Sequence, residues 1–347
     1  MEGNMSLEVS VIMSVFNAAP FLNDSIQSIL SQTYSEFELI IINDASTDNS
    51  KELVLKFLEK DSRIRYFENA TNLGVSESSN LAIREARGIF VAKQDADDIS
   101  LPNRLESQLA FFKSHPDIDL LTGRALFFNE RTGKEWLSGE ELDHEEIKFR
   151  LLFTCPIMNP TLMVRKSFLI DNKLFYNPKF QVAEDYDLFC RSSTLGTLHS
   201  FREIIIKYRV HESINRLNHS SRKDIYKIGT SEIRRDLYKT RRVLMHEALL
   251  KHYEALFYSD VKINHWSCLK TVLFYRLIHR YLAGHLINRY YKDRFSVYLS
   301  SIFYNAFYQY SKVGPSAFLI YLKYCRTQLK MTPKQEFKFL VKSFLRK

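Results

Sequence analysis

The sequence predicts an α/β fold, a mostly parallel sheet with helices on both faces, continued by a basic, aromatic-rich α-helical region. Three observations point there. Short apolar runs alternate with amphipathic helical stretches through the first hundred residues, joined by short connections. The runs end in Asn or Asp, the polar ends expected where an open parallel sheet meets its ligand. Charge is segregated along the 347 residues: residues 1–219 carry a net −8 and residues 220–347 a net +17. The expected organisation is an α/β domain over 1–219 and a second, helical domain over 220–347.

Val9–Val15 is a β-branched run of strand length that ends at Phe16-Asn17, and Pro20 then opens a helix to about Gln32. Phe37–Ile42 is the second strand, stopping at Asn43-Asp44. Ala45–Ser50 supplies N-cap candidates for a helix over 51–60. A third strand spans Arg63–Glu68, and a helix over Val75–Arg87 is stopped by Gly88. The next apolar run, Ile89–Ala92, leads through Lys93-Gln94 into Asp95, Asp97 and Asp98. Right-handed crossovers place Asn17, Asp44 and Asp95 together at the carboxyl ends of the strands.

Three carboxylates at a strand tip repel one another and lose solvation, so stability alone does not explain them. A shared divalent cation offsets the repulsion, and hard oxygen ligands suit Mn²⁺ or Mg²⁺. The plain alternative is a solvated acidic turn. No GxGxxG follows the first strand, no GxxxxGK[ST] occurs, and the chain has only 10 glycines. A bound nucleotide must therefore have its phosphates neutralised by metal and side chains.

Further on, a helix is expected over 102–115 and a strand over Asp119–Phe128. A polar looped stretch follows over 129–150, with a helix starting near His144. Cys155–Arg165 reads as a turn feeding a strand. Glu184 and Asp185 open a helix whose Tyr186, Phe189 and Cys190 face inward, with the dipole favouring carboxylates in its first turn. An acidic helix start and a catalytic pair both fit. The strand Ile204–Arg209 precedes a polar turn at His211–Asn215. From Ser220 the chain turns helical and basic, with Phe274, Ile278, Tyr281 and Leu282 forming an apolar stripe beside Lys270, Arg276 and Arg280. That tail reads either as a packed helical subdomain or as a surface lying on anionic lipid. Four dispersed cysteines without a CxxC pair, and an N-terminus without a signal-peptide pattern, suggest a reduced, cytoplasmic setting, peripheral to the inner membrane face if the tail binds lipid.

Eight segments, in order over about residues 7–215, resemble the family 2 glycosyltransferases of bacterial cell-surface polysaccharide and lipopolysaccharide synthesis. They are Val11–Asn17, Ser28–Thr33, Phe37–Asp48, Asn72–Val75, Asp95–Asp98, Leu101–Leu105, Glu184–Leu188 and Tyr208–His211. The resemblance implies the Rossmann-like GT-A fold and an inverting, metal-dependent transfer of sugar from a nucleoside-diphosphate sugar, UDP first among the carriers. The acceptor would be a hydroxyl of a glycan or lipid-linked glycan. It puts Val15, Asn17, Asp44, Asn72, Asp95 and Asp97 on the donor, and Asp97, Asp98 and His211 on the metal. Asp185 would be the catalytic base, with Glu184 beside it.

Asn43 stands where many relatives carry a further Asp, and no QxxRW follows Asp185, which argues against a processive synthase. Rival readings are a nucleotidyl or phosphoryl transferase, disfavoured because Phe16–Phe21 has no Lys or Arg for a triphosphate, and an inactive scaffold of polysaccharide assembly. The acidic front argues against a nucleic-acid track. Homo-oligomerisation is left open.

Overall fold

A computed structural model describes residues 7–210 and 220–242, and beyond them 251, 254, 267, 270–278 and 298. Among these, nine strands form one mixed sheet. β1 (Val9–Val15), β2 (Phe37–Asn43), β3 (Ile64–Glu68) and β4 (Phe90–Asp95) are its parallel half, in the order β3-β2-β1-β4. The crossover helices are α1 (Ala19–Leu30), α2 (Ser50–Leu58) and α3 (Val75–Glu85). β1 and β2 are buried almost throughout, as strands covered on both faces must be, which explains their unbroken apolar runs. Val9, Val11, Met13 and Val15 share a core with Leu22, Ile26 and Ile29 of α1 and Val54 of α2.

The second half is more mixed than the sequence indicates. β5 (Ile99–Ser100) and α4 (Arg104–Ser114) follow β4, then β6 (Leu120–Asn129), β7 (Lys134–Ser138) and α5 (His144–Arg150). A 3-10 turn at Asn159–Thr161 leads into β8 (Met163–Arg165) and α6 (Lys166–Asp171), then α7 (Glu184–Ser192), β9 (Leu198–Arg209) and α8 (Ser220–Thr240). The order continues β4-β8-β6-β9-β5. β8 runs antiparallel to both β4 and β6, while β9 is parallel to β6.

Two differences from the sequence reading have clear causes. The stretch after β6 contains β7, whose exposed Lys-Glu-Trp-Leu-Ser has no period-2 pattern and is held by ladder pairing to β6. β4 also runs on past its apolar residues, with Lys93 and Gln94 both fully buried inside it. α3 ends at Glu85, two residues short of the expected end, where Ala86 turns to extended backbone. Gly88 instead lets the chain pass close to β1, since a Cβ there would lie 2.6 Å from the Ser10 amide.

By contact the chain divides into two compact units, 1–233 and 234–347, so that α8 begins in one and ends in the other. In the second, residues 270–278 are helical, with Phe274 and Ile278 buried and Lys270 and Arg276 exposed, the first half of the expected stripe. Tyr281, Leu282 and Arg280, and most of the later predicted helices, lie outside the described residues. No helix among the described residues is long and apolar enough to cross a membrane.

Candidate active site

The carboxyl ends of β1, β2 and β4 meet at one edge: Val15 pairs with Asn43, and Ser14 with Asp95. Asp44 is thus two strand spacings, ~10 Å, from β4. Its carboxylate is buried and engaged. Asn69 Nδ2 and the Leu73 amide donate to Oδ1 at 2.7 and 2.9 Å, and the Gly74 amide donates to Oδ2 at 2.8 Å. Asp44 therefore shapes the loop ahead of α3, on which Asn72 is exposed. Gly74, with φ +87°, allows the turn that points its N–H back at the carboxylate. A carboxylate has about four acceptor positions, so roughly one remains for a ligand.

Two non-glycine residues flank Asp44 in left-handed conformation, Asn17 at φ 51° and Ala45 at φ 57°. Asn17 Oδ1 accepts from the Thr47 amide at 2.8 Å, which compensates its backbone. Ala45 has no polar side chain for such compensation, so the turn stores strain beside Asp44, a pattern typical of functional sites. Val15 is fully buried; it takes part through its carbonyl, which accepts from the Asp44 amide at 2.8 Å. Phe16 projects at the same edge and is 49% exposed.

At the end of β4, carboxylate oxygens of Asp95, Asp97 and Asp98 lie within 4.8 Å of one another. Lys93, only 1% exposed, donates to Asp95 Oδ1 at 2.7 Å. Beneath the turn, Gln94 donates to the carbonyls of Asp95 and Asp98 at 3.0 and 2.9 Å. The buried Arg104 guanidinium donates to Gln94 Oε1, Ser100 Oγ and the Lys93 carbonyl. Burial pulls Arg104 down to about 10, with Asp98 and Asp95 opposing. Burial, with the Asp95 and Asp97 charges, pushes the Asp98 carboxyl well above the usual range. Asp98 Oδ2 is buried without a hydrogen-bond partner. An orphaned buried oxygen amid three clustered carboxylates is what a hard cation would complete, so these residues fit a metal of that type.

α7 starts at Glu184 with no side-chain cap, leaving its N-terminal amides and dipole for the acidic pair. The Tyr186 amide donates to Asp185 Oδ1 at 2.7 Å, and Tyr186 Oη donates to the Leu151 carbonyl, seating the helix. Burial pushes Asp185 up to about 6, against its backbone hydrogen bonds. Burial and the Asp185 charge push Glu184 up to about 8. Asp95 raises both carboxyls further, and with Asp185 and Glu184 it also raises the buried Tyr176 hydroxyl. Tyr176 Oη donates to Asn159 Oδ1 at 2.7 Å, and its backbone is clamped by Asn80. The acidic turn and the helix pair, ninety residues apart in sequence, thus act on one another.

Asp44, Asp95, Asp97 and Asp98 lie at one edge of the sheet, and Glu184 and Asp185 at the start of α7 lie within electrostatic reach of Asp95, so these six expected residues come together. His211 lies outside the described residues. Lys93, Arg104, Tyr176 and Asn159 were not expected; each is an ordinary core or turn residue by local pattern, and only its partners reveal it.

Residues 10–172 match the family described as Glycosyl transferase family 2. An uncharacterized glycosyltransferase of Methanocaldococcus jannaschii is 34% identical over 229 residues, covering 64% of this chain and 77% of that one. One of Haemophilus influenzae is 32% identical over 235 residues, covering 65% of this chain and 73% of that one. The chain belongs to the family 2 glycosyltransferases. Among solved structures, Staphylococcus aureus TarS residues 1–349 with UDP-GlcNAc is similar in fold, with TM-score 0.54, 18% identity, and 97% and 90% of the two chains covered. The same TarS segment with UDP gives TM-score 0.52 at 17% identity. This glycosyltransferase therefore has the GT-A-type α/β fold expected of it, with Asp95–Asp98 inside the matched region and the Glu184–Asp185 pair beyond it.

Proposed function

We propose that this glycosyltransferase moves a sugar from a UDP-linked donor to a hydroxyl of a glycan or lipid-linked glycan. Inversion at the anomeric carbon would form a β-glycosidic bond, in surface polysaccharide synthesis. The observation that carries the reading is the cluster of Asp95, Asp97 and Asp98 carboxylates at the end of β4, with the acidic Glu184–Asp185 start of α7 within electrostatic reach of Asp95.

In this reading Asp44 and the loop it holds receive the base, and Phe16 offers an exposed ring face for stacking. Asn17 and Asn72 line the same edge, and Asp95, oriented by Lys93, receives the ribose. Asp97 and Asp98, with His211, hold Mn²⁺ or Mg²⁺, which when bound offsets the charge of the leaving diphosphate. Asp185 takes the proton of the attacking hydroxyl, and a base whose pKa lies near working pH is suited to that transfer. Glu184, raised higher, keeps its proton near neutrality and limits the negative charge around the base. The TarS complexes with UDP and UDP-GlcNAc support the choice of carrier.

The test is a screen of nucleotide sugars for hydrolysis with and without Mn²⁺; no metal-dependent release from any UDP-sugar removes the reading. The net +17 of residues 220–347 supports docking on anionic lipid, and flotation of the full chain with anionic against neutral vesicles checks it.

A further inference from the structure

Arg209, the last residue of β9, is a charged side chain with more partners than a strand end needs. It is 2% exposed. Its backbone amide donates to Asp98 Oδ1 at 2.9 Å, and its Nε donates to the Asp97 carbonyl at 2.8 Å. One terminal nitrogen pairs with Asp24 of α1 at 3.2 Å, and the other with Glu130 of the β6–β7 turn. The guanidinium also lies 5.1 Å from the Phe21 ring and 5.0 Å from the Phe128 ring. A single residue thus ties α1, the β6–β7 turn and β9 to the peptide that carries Asp97 and Asp98.

Ion pairing alone does not account for this arrangement. Asp24 and Glu130 each have more than half of their side chain in solvent, and such pairs contribute little. The two bonds that enter the acidic turn do something more specific. The guanidinium holds the carbonyl of Asp97, and the backbone amide it anchors donates to one carboxylate oxygen of Asp98, which orients that side chain. The other oxygen, Oδ2, is then held buried and unpartnered. Only a planar fork can give Nε–H to a carbonyl while its two ends reach separate carboxylates, which a lysine cannot reproduce.

We propose that Arg209 is a positioning residue for the acidic turn, holding Asp97 and Asp98 in the geometry that receives a divalent cation on the donor diphosphate while touching neither. The inference rests on the nucleotide-sugar reading of that turn. Groups that orient metal ligands in this way are worth ~10- to 100-fold in metal affinity.

The experiment uses the full chain with Mn²⁺ and UDP. Binding is followed by the electron paramagnetic resonance signal of free Mn²⁺, and UDP-sugar hydrolysis is followed at rising Mn²⁺. Arg209→Lys is expected to weaken Mn²⁺ binding ~10-fold or more, with the rate at saturating Mn²⁺ recovering to within about threefold of wild type. A double Asp24→Asn, Glu130→Gln variant, altered only at exposed groups, is expected to shift binding the same way by a smaller factor. Unchanged Mn²⁺ binding in Arg209→Lys overturns the proposal. So does a rate lost at every Mn²⁺ concentration with binding intact, since Arg209 would then act on the reacting groups themselves. Should Arg209→Lys fail to fold by circular dichroism, the double variant decides: a shift supports the proposal and its absence overturns it. A wild type that binds no Mn²⁺ with UDP and hydrolyses no donor removes the nucleotide-sugar reading; a wild type that does so beside unshifted variants removes the role of Arg209 alone.

Discussion

Replacing Asp185 by Asn takes away one charge and leaves the local structure in place. The Tyr186 amide donates to Asp185 Oδ1 at 2.7 Å, and the amide oxygen of Asn accepts in the same position, so α7 still starts where it does. What disappears is the proton acceptor. With the carboxyl at about 6, the ionised form predominates at pH 7.5, and Asp185 is then ready to act as a base. Loss of a positioned base costs ~10²–10⁴ in rate, which corresponds to ~3–5 kcal/mol of barrier. The assay is metal-dependent transfer from the best UDP-sugar found by screening, with donor affinity measured separately by calorimetry. Transfer should fall by that factor while UDP affinity stays as in wild type. The wild-type rate should also rise with pH through about 6, and this limb should vanish in the variant. A variant that keeps more than ~10% of the rate, or keeps the limb near 6, takes the base role away from Asp185.

Glu184 offers a test in stability. Its carboxyl moves from the ordinary 4.5 to about 8, so between those values the folded chain binds more protons than the unfolded chain. Its contribution to stability must therefore fall as pH rises through that window. Glu184→Gln should raise the melting temperature at pH 8.5 and change it little at pH 4.5, and an equal shift at both pH values counts against the raised carboxyl. At Ala45, φ 57° costs an L-residue ~1–2 kcal/mol, part of which glycine returns to the flexible unfolded chain. Ala45→Gly should gain ~0.5–1 kcal/mol in urea unfolding, and no gain would mean that the strain is absent. Asp97→Ala should weaken UDP binding in the presence of Mn²⁺ and leave metal-free UDP binding unaltered in calorimetry; equal weakening in both conditions would detach Asp97 from the metal.

Much of the site was legible because its residues break local rules in the chain itself. Asp95, Asp97 and Asp98 crowd the end of an apolar run, and Glu184-Asp185 crowd a helix start, so each cluster carries an electrostatic cost visible without coordinates. Asp44 was legible as a residue at a strand end, but not its engagement with Asn69, Leu73 and Gly74, which depends on how a loop 25–30 residues later folds back. β5 and β7 were missed for a related reason. Strands of two and five residues are held by pairing with neighbours, not by any pattern of their own.

Residue order alone determined the alternating strands and helices, the edge at which the acids gather and the separation of an acidic front from a basic tail, because periodicity and charge are local properties. Tertiary structure alone decided which buried polar groups serve that edge. Lys93 inside β4, Arg104 at the start of α4 and Arg209 at the end of β9 are cations that a strand or helix pattern would send to solvent. They stay inside because carbonyls and carboxylates accept from them, for Lys93 the next two residues of its own strand, and for Arg104 and Arg209 segments that meet only once the chain has folded.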